Sequence, residues 1–318
     1  MFVDTHGHVQ FNSFKDDGDA TVKRAFEAGV AIVMPGSQID TSRRAVEYAK
    51  RWNHPWLWAA VGLHPIHLEE VRVDEAEVEN QVKFVTRKEE FDRDAYEQLL
   101  QSDKVVAIGE IGLDYWRRPK SKAKRAEYMQ RQADTFIAQL DMAADHDLPT
   151  ILHCRVAHDD MLDILKNHRQ PRLRPACAEA SAGRQGFGGQ AKEVAGPGVV
   201  HSYTGDLKQL DAFLSMGYCI GVNGLVFKLD FVQEAVKACP LERIVLETDA
   251  PYLTPPLPRL LRQQAEKAGC DPERNEPAFL PLIAAEIARL KNISPEEVER
   301  QTTENAQALF RVNFGLAG

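Results

Sequence analysis

Side chains able to bind metal recur along this chain at the ends of short apolar runs, and no other feature narrows the possible folds as much. The runs are FVDTHGH at the start, VVAIGE ending at Glu110, TILHC with His153, GVVHS with His201 and RIVLETD ending at Asp249. Groups so far apart in sequence can meet only where many strand ends share one face. A β/α barrel provides that, because its eight parallel strands all direct their C-terminal ends to one mouth. Six candidate ligands follow: His6, His8, Glu110, His153, His201 and Asp249, enough for two divalent ions.

The rest of the chain fits that architecture. Strand-like runs fall at 2–6, 30–36, 57–65, 105–112, 149–154, 198–203, 218–224 and 243–249. Several are apolar throughout rather than alternating, as in parallel strands covered by helices on both sides. Helical stretches are expected between them at 20–27, 42–51, 95–101, 123–144, 159–166, 207–216 and 232–238, with a last group at 277–290, 295–299 and 303–310. Strands alternating with helices predict an α/β fold, here a (β/α)8 TIM barrel forming a single domain over residues 1–318. The 318 residues exceed the roughly 250 typical of a barrel, which leaves room for insertions.

Two segments read as surface insertions. Residues 67–94 are acid-rich, with QVKFVTRKEEF as an extra hairpin, and 169–198 are rich in Gly, Ala, Arg and Gln with little apolar periodicity. The second reads as an exposed loop or, since it precedes His201, as a lid or substrate contact. As a loop, Pro175–Gly196 should be removable without loss of the fold.

Composition excludes several classes. The net charge of −8 argues against a purely electrostatic nucleic-acid binder, which should be basic. Five cysteines, odd in number and without a CxxC pair, together with no signal peptide at Met1–Val9, point to a reduced, cytoplasmic chain. No apolar run approaches the roughly 20 residues of a membrane span, and no obligate protein partner is evident.

The candidate residues carry a coherent chemistry. On a strand, His6 and His8 would point to one face and share an ion. Asp4 on the same face is read as a partner for an imidazole N–H. Glu110 has two oxygens and can bridge two cations, whose charge would offset its burial. His153 and His201, each alone more often a hydrogen-bonded core histidine, complete a second ligand set. Asp249 can hold the first ion and accept a proton from an activated water, with Glu247 as a support one layer deeper. His64 in GLHP and Arg155 after His153 would sit at the same mouth and neutralise a substrate phosphate. A structural ion pair is the alternative for Arg155. Cys154 reads as packing, since no base-assisted thiol is apparent. Donors so rich in imidazole suit Zn²⁺, with Mn²⁺ or Ni²⁺ acceptable, and exceed the nitrogen content of a usual Mg²⁺ site; Mg²⁺ or Mn²⁺ could still support activity. Two such ions can acidify a bridging water and clamp both oxygens of a phosphodiester displacement.

DTHGH, GLHP, GEIGLDYWR, HCR, HSYTG, LETDAPYLTP, RNEP at Arg274–Pro277 and TENAQALF occur in this order across nearly the whole chain. In this the chain resembles the TatD family of metal-dependent hydrolases and nucleases, within the amidohydrolase barrel superfamily. The resemblance implies a barrel with a two-metal site. It assigns His6, His8 and Asp249 to one ion and His153 and His201 to the other, with Glu110 bridging. The departures are the two insertions and a glycine in DTHGH where the family often has cysteine. The resemblance also implies a 3′→5′ exonuclease acting on the end of a single DNA or RNA strand. Ester hydrolysis, such as deacylation of D-aminoacyl-tRNA, would use the same chemistry. A catalytically idle barrel serving as a binding scaffold is the non-enzymatic alternative, against which the complete ligand set argues.

Overall fold

A computed structural model describes residues 1–70, 72–73, 84–168, 196–267 and 271–315. Eight strands form one parallel sheet in sequence order: β1 Phe2–Asp4, β2 Val30–Pro35, β3 Leu57–Val61, β4 Val105–Asp114, β5 Thr150–Arg155, β6 Gly198–Val200, β7 Cys219–Val222 and β8 Ile244–Leu246. The ends meet. Thr5 N–H donates to the Leu246 carbonyl at 2.9 Å, Asp249 N–H to His6 at 2.8 Å and His8 N–H to Ala250 at 2.8 Å. The seam between β1 and β8 is therefore bonded mainly at its upper end, where the candidate ligands lie. All eight expected strands are present.

Burial on both faces explains the continuous apolar runs. Inside the barrel, Val3, Ala31, Val33, Ala60, Ala107, Ile151, Val199 and Val245 pack together with Leu309, Phe310 and Phe314 from the C-terminal segment. Outside, alternate strand residues such as Ile32, Met34, Ile108 and Leu152 pack with the helical layer. Helices follow the strands: α1 Gly18–Glu27, α2 Ile39–Trp52, α3 Arg93–Leu99, α4 Lys122–Asp145, α5 His158–Asn167, α6 Leu207–Ser215, α7 Asp230–Ala238, α8 Arg259–Lys267, α9 Leu280–Lys291 and α10 Pro295–Phe310. Helix α8 is not anticipated in the sequence; none of its described side chains is buried. Conversely, the two stretches expected at 295–299 and 303–310 form one helix, α10. Thr302 stays helical by bonding its hydroxyl to the Val298 carbonyl at 2.8 Å, and Ser294 caps the start through the Glu297 N–H at 3.1 Å. Asn305 then donates to the Leu241 and Ile244 carbonyls, which fixes α10 across the bottom of the barrel.

Two readings of the strand ends need correction. Strand β4 does not end at Glu110 or Gly112 but continues to Asp114. A register shift between Gly109 and Ile111 leaves Glu110 without a partner in β5, and such bulges re-aim a side chain. Strand β1 stops at Asp4, because the Asp4 carboxylate accepts the His6 N–H at 3.1 Å and bends the chain there. His6 and His8 thus lie beyond the strand rather than on it.

Of the insertion at 67–94, Arg72–Val73 and Phe84–Val85 pair antiparallel, so the strand partner of Phe84–Val85 comes from before the run QVKFVTRKEEF and not from within it as expected. Its C-terminal part is anchored. Glu89 accepts from Ile39 N–H at 3.1 Å and from the Tyr96 hydroxyl at 2.8 Å, tying the segment to the start of α2. Residues 169–195 lie outside the described residues. Gly196 does not belong to a removable loop: a Cβ there would sit 2.0 Å from the Gly217 carbonyl oxygen. Replacing 175–194 with a short Gly/Ser linker should therefore leave the thermal midpoint within a few degrees of wild type, whereas extending the cut through Gly196 should lower it clearly. Thermal melts of the two variants check this, and a large loss in the shorter deletion would assign the segment to the core.

Candidate metal centre

All six candidate ligands lie at the C-terminal mouth. Glu110 is at their centre. Its Oε1 is 3.0 Å from His153 Nδ1, 3.4 Å from His64 Nε2 and 3.8 Å from His201 Nε2, and its Oε2 is 3.3 Å from His6 Nε2. His6 and His8 bring their Nε2 atoms within 3.1 Å of each other, and Asp249 Oδ1 lies 3.5 Å from the latter. Potential donor atoms of His6, His8 and Asp249 form one compact group, and those of His64, Glu110 and His153 another. His201 stands between them, stacked on His6 at a centroid separation of 3.5 Å. Glu110, His6, His8 and His201 are buried, while the side chains of His153 and Asp249 each retain 17% exposure and so form the opening.

Polar groups behind the rings decide which ring nitrogen faces the site. His8 Nδ1 is 3.0 Å from the Pro35 carbonyl, which can only accept, so the proton sits there and Nε2 presents a lone pair. His201 Nδ1 is 2.9 Å from Glu247 Oε2, which leaves Nε2 toward Glu110 and Asp249. His153 Nε2 is 3.1 Å from Asp114 Oδ2, which leaves Nδ1 toward Glu110. Carboxylates and carbonyls behind ligand histidines orient them in this way in metal sites. His64 is the opposite case. Its Nδ1 accepts the Ile66 N–H at 3.0 Å, so the neutral ring directs Nε2–H into the site as a donor, not a ligand. Imidazole nitrogens converging on carboxylates, with an acceptor behind His8, His153 and His201 but none among the described residues behind His6 Nδ1, fit a divalent ion better than they fit one another.

The electrostatics without metal express the same point. Burial opposes charge on His153, but the Asp114 and Glu110 carboxylates outweigh it and raise its pKa to about 9. Burial likewise opposes charge on His201, yet Glu247, Asp249 and Glu110 raise it to about 10. For Glu110, burial favours the neutral acid, but His64, His6 and His153 hold it well below the usual carboxylate range. Protons thus occupy the positions a cation would take.

The supporting residues are only partly those anticipated. Glu247 is fully buried and accepts from Ser202 N–H at 2.6 Å and Asn223 Nδ2 at 3.2 Å as well as facing His201. Its Oε1 takes both of these hydrogen bonds and its Oε2 faces the His201 ring, the placement of a support. Gly221 makes room for it, since a Cβ there would lie 2.2 Å from Glu247 Oε2. Asp4 supports backbone, not an imidazole: it accepts from Thr248 N–H at 2.9 Å and Thr248 Oγ1 at 2.5 Å besides the His6 amide. Arg155 stands at the mouth with its guanidinium carbon 4.5 Å from the centre of the Trp116 ring. Two residues were missed. Asp114 lies four positions after Glu110, a spacing that could have been read as the same strand face. Asn275, in RNEP, donates to the Thr248 and Tyr252 carbonyls at 2.8 and 2.6 Å, which shapes the turn that carries Asp249.

Residues 3–311 match the TatD related DNase family. The chain belongs to that family. The protein from Erwinia billingiae named 3′-5′ ssDNA/RNA exonuclease TatD is 33% identical over 303 residues, covering 94% of this chain and 95% of that one. The Escherichia coli K12 protein named uncharacterized metal-dependent hydrolase YjjV is 30% identical, with 98% of both chains covered. Among solved structures, the E. coli YjjV TatD homologue superposes with a TM-score of 0.71 at 28% identity over 98% of each chain. A TatD family hydrolase from Entamoeba histolytica, 21% identical over 96% of each chain, shares the fold with a TM-score of 0.66.

Two tests follow for this TatD-family centre. The raised His153 and His201 pKa values stabilise the metal-free protein fully below about 6.5, the ordinary histidine value, and that stability is lost as pH rises through about 9 and about 10. A divalent ion meets less proton competition over the same range. The gain in Tm on adding Mn²⁺ should accordingly be larger near pH 8.5 than near pH 6.5, and calorimetry in buffers of different ionisation enthalpy should show proton release; a gain that shrinks with pH would count against the site. Separately, Asn275→Ala should cost about 1–3 kcal/mol in denaturant unfolding, because buried carbonyls lose their donor, and should also weaken metal binding.

Proposed function

We propose that this chain is a metal-dependent hydrolase of phosphodiester bonds that releases nucleotides from the 3′ end of single-stranded DNA or RNA. The observation that carries the reading is Glu110 set among four imidazoles at a barrel mouth, in a chain 33% identical to a protein named for that activity. We assign His6, His8 and Asp249 to one ion and His153 and His201 to a second, with Glu110 between them. The nitrogen-rich donors favour Zn²⁺, and Mn²⁺ or Mg²⁺ are candidates in activity. Ions held there would supply Lewis-acid charge at the phosphoryl oxygens and acidify a water.

The remaining roles belong to this chain's side chains. Asp249 is partly exposed, and interactions with His8, His201 and His6 overcome burial to lower its pKa, so it is ionised at neutral pH and can accept a proton from the attacking water. His64 presents Nε2–H, a neutral donor suited to a phosphoryl oxygen. Asp114 and Glu247 hold the His153 and His201 rings, and Asp4 ties the segment after β1 to the segment after β8. No observation favours ester hydrolysis on aminoacyl-tRNA, and the retained donor set argues against an idle scaffold.

The direct test is incubation of metal-defined protein with end-labelled single-stranded DNA, RNA and D-aminoacyl-tRNA in parallel, with nucleotide release from the 3′ end expected. Asp249→Asn keeps the shape and one coordinating oxygen but removes the base. Turnover at saturating metal should fall at least about 10²-fold, the usual scale of general-base catalysis. Glu110→Ala should lose both metal and activity. Wild-type turnover by fully loaded Asp249→Asn protein would reject Asp249 as the base.

A further inference from the structure

Trp116 is the one tryptophan at the mouth, and its side chain is 53% exposed. The other three, Trp52, Trp56 and Trp58, are at least partly buried against the core around the opposite end of the barrel. An indole left in water without a role is unfavourable, since apolar surface is better removed from it. Its backbone is held in place, and its ring has a cationic neighbour. The Trp116 backbone N–H donates to Asp114 Oδ1 at 2.9 Å, and the other oxygen of the same carboxylate is 3.1 Å from His153 Nε2. The preceding Tyr115 N–H donates to the Arg155 carbonyl at 2.9 Å, and the Arg155 guanidinium lies over the indole. One carboxylate thus links the backbone that carries the indole to a candidate ligand.

The surroundings have the same character. The exposed large apolar residues among those described are Trp116, Val156, Leu207, Phe231 and Leu260. They follow β4, β5, β6, β7 and β8 in turn, so each lies on the mouth side of its own strand–helix unit. Meanwhile the chain carries a net charge of −8, which gives a polyanion no general attraction. A strand end that reaches this mouth needs a handle other than its phosphates.

We propose that Trp116, backed by Arg155, is a stacking platform for an unpaired nucleobase beside the scissile phosphodiester, and that it selects single-stranded ends. The proposal rests on the exonuclease reading above. Every base has a π face, so an aromatic ring binds bases with little regard to sequence, and an arginine stacked on the ring adds a cation–π contribution. A base inside a duplex has both faces covered by its neighbours, whereas a base at a free end can turn one face to the indole.

The test uses the full chain loaded with Mn²⁺ and three single-stranded DNA oligonucleotides: one intact, one abasic at the 3′-terminal nucleotide and one abasic at the next. Wild-type protein should show KM higher by about tenfold to a hundredfold for one abasic strand, the range of base–aromatic stacking, with a smaller change in kcat. Trp116→Ala should raise KM for the intact strand by a similar factor and abolish the discrimination. Trp116→Tyr, which keeps a ring, should restore most of it. The intact strand should quench tryptophan emission in the wild type, and Trp116→Phe should remove the quench while binding persists. If the wild type cleaves all three strands and Trp116→Ala still discriminates, the platform is wrong and the exonuclease reading stands. If the wild type cleaves none, both fall.

Discussion

A carboxylate surrounded by imidazoles at the centre of a closed barrel sets the terms for the rest of the molecule. Glu110 is only 5% exposed, and an isolated charge so placed would neutralise rather than persist. It persists because His6, His64, His153 and His201 approach it from β1, β3, β5 and β6. No local segment could provide those partners. They come from positions up to 195 residues apart, and only parallel strands returning to one mouth bring them together. The register shift in β4 that leaves Glu110 unpaired with β5 is part of the same arrangement.

The ligand-candidate rings need fixed orientations, and buried polar groups supply them for His8, His153 and His201. Asp114 stands behind His153, Glu247 behind His201 and the Pro35 carbonyl behind His8. Those supports have supports: Ser202 and Asn223 hold Glu247, and Asn275 holds the turn of Asp249. Backbone strain gathers there too. Val156, Ser202 and Asp249 adopt positive φ of 59°, 48° and 57°, just beyond the ends of β5, β6 and β8. Such conformations cost on the order of 1–3 kcal/mol each and persist where the surrounding structure enforces them. The opposite end of the barrel, filled by Val3, Ala31, Leu309, Phe310 and Phe314, contains the ordinary packing that offsets them.

The mouth therefore combines charge at its centre with apolar side chains at its rim. Among the described residues, no helix is long and apolar enough to cross a membrane, so the exposed rim residues are not part of a helical span. Trp116 with Arg155 is the most organised element of that rim, since its backbone is bonded to the carboxylate that orients His153. Binding through base faces and catalysis at the phosphate would then share Asp114.

Much of this was legible from residue types alone. Continuous apolar runs alternating with helical stretches specify parallel strands, because only a sheet covered on both faces tolerates them. Ligand side chains at the ends of those runs specify a mouth, and the ordered motifs from DTHGH to TENAQALF specify the family. What the sequence could not contain is the direction of each proton-bearing nitrogen. His64 and His153 look alike as letters, yet one presents N–H and the other a lone pair, because Ile66 N–H meets the first and Asp114 the second. The same limit hid the true use of Asp4, the supporting role of Asn275 and the full length of β4. These depend on which groups meet across the barrel, and hydrogen-bond direction is settled by neighbours in space rather than in the chain.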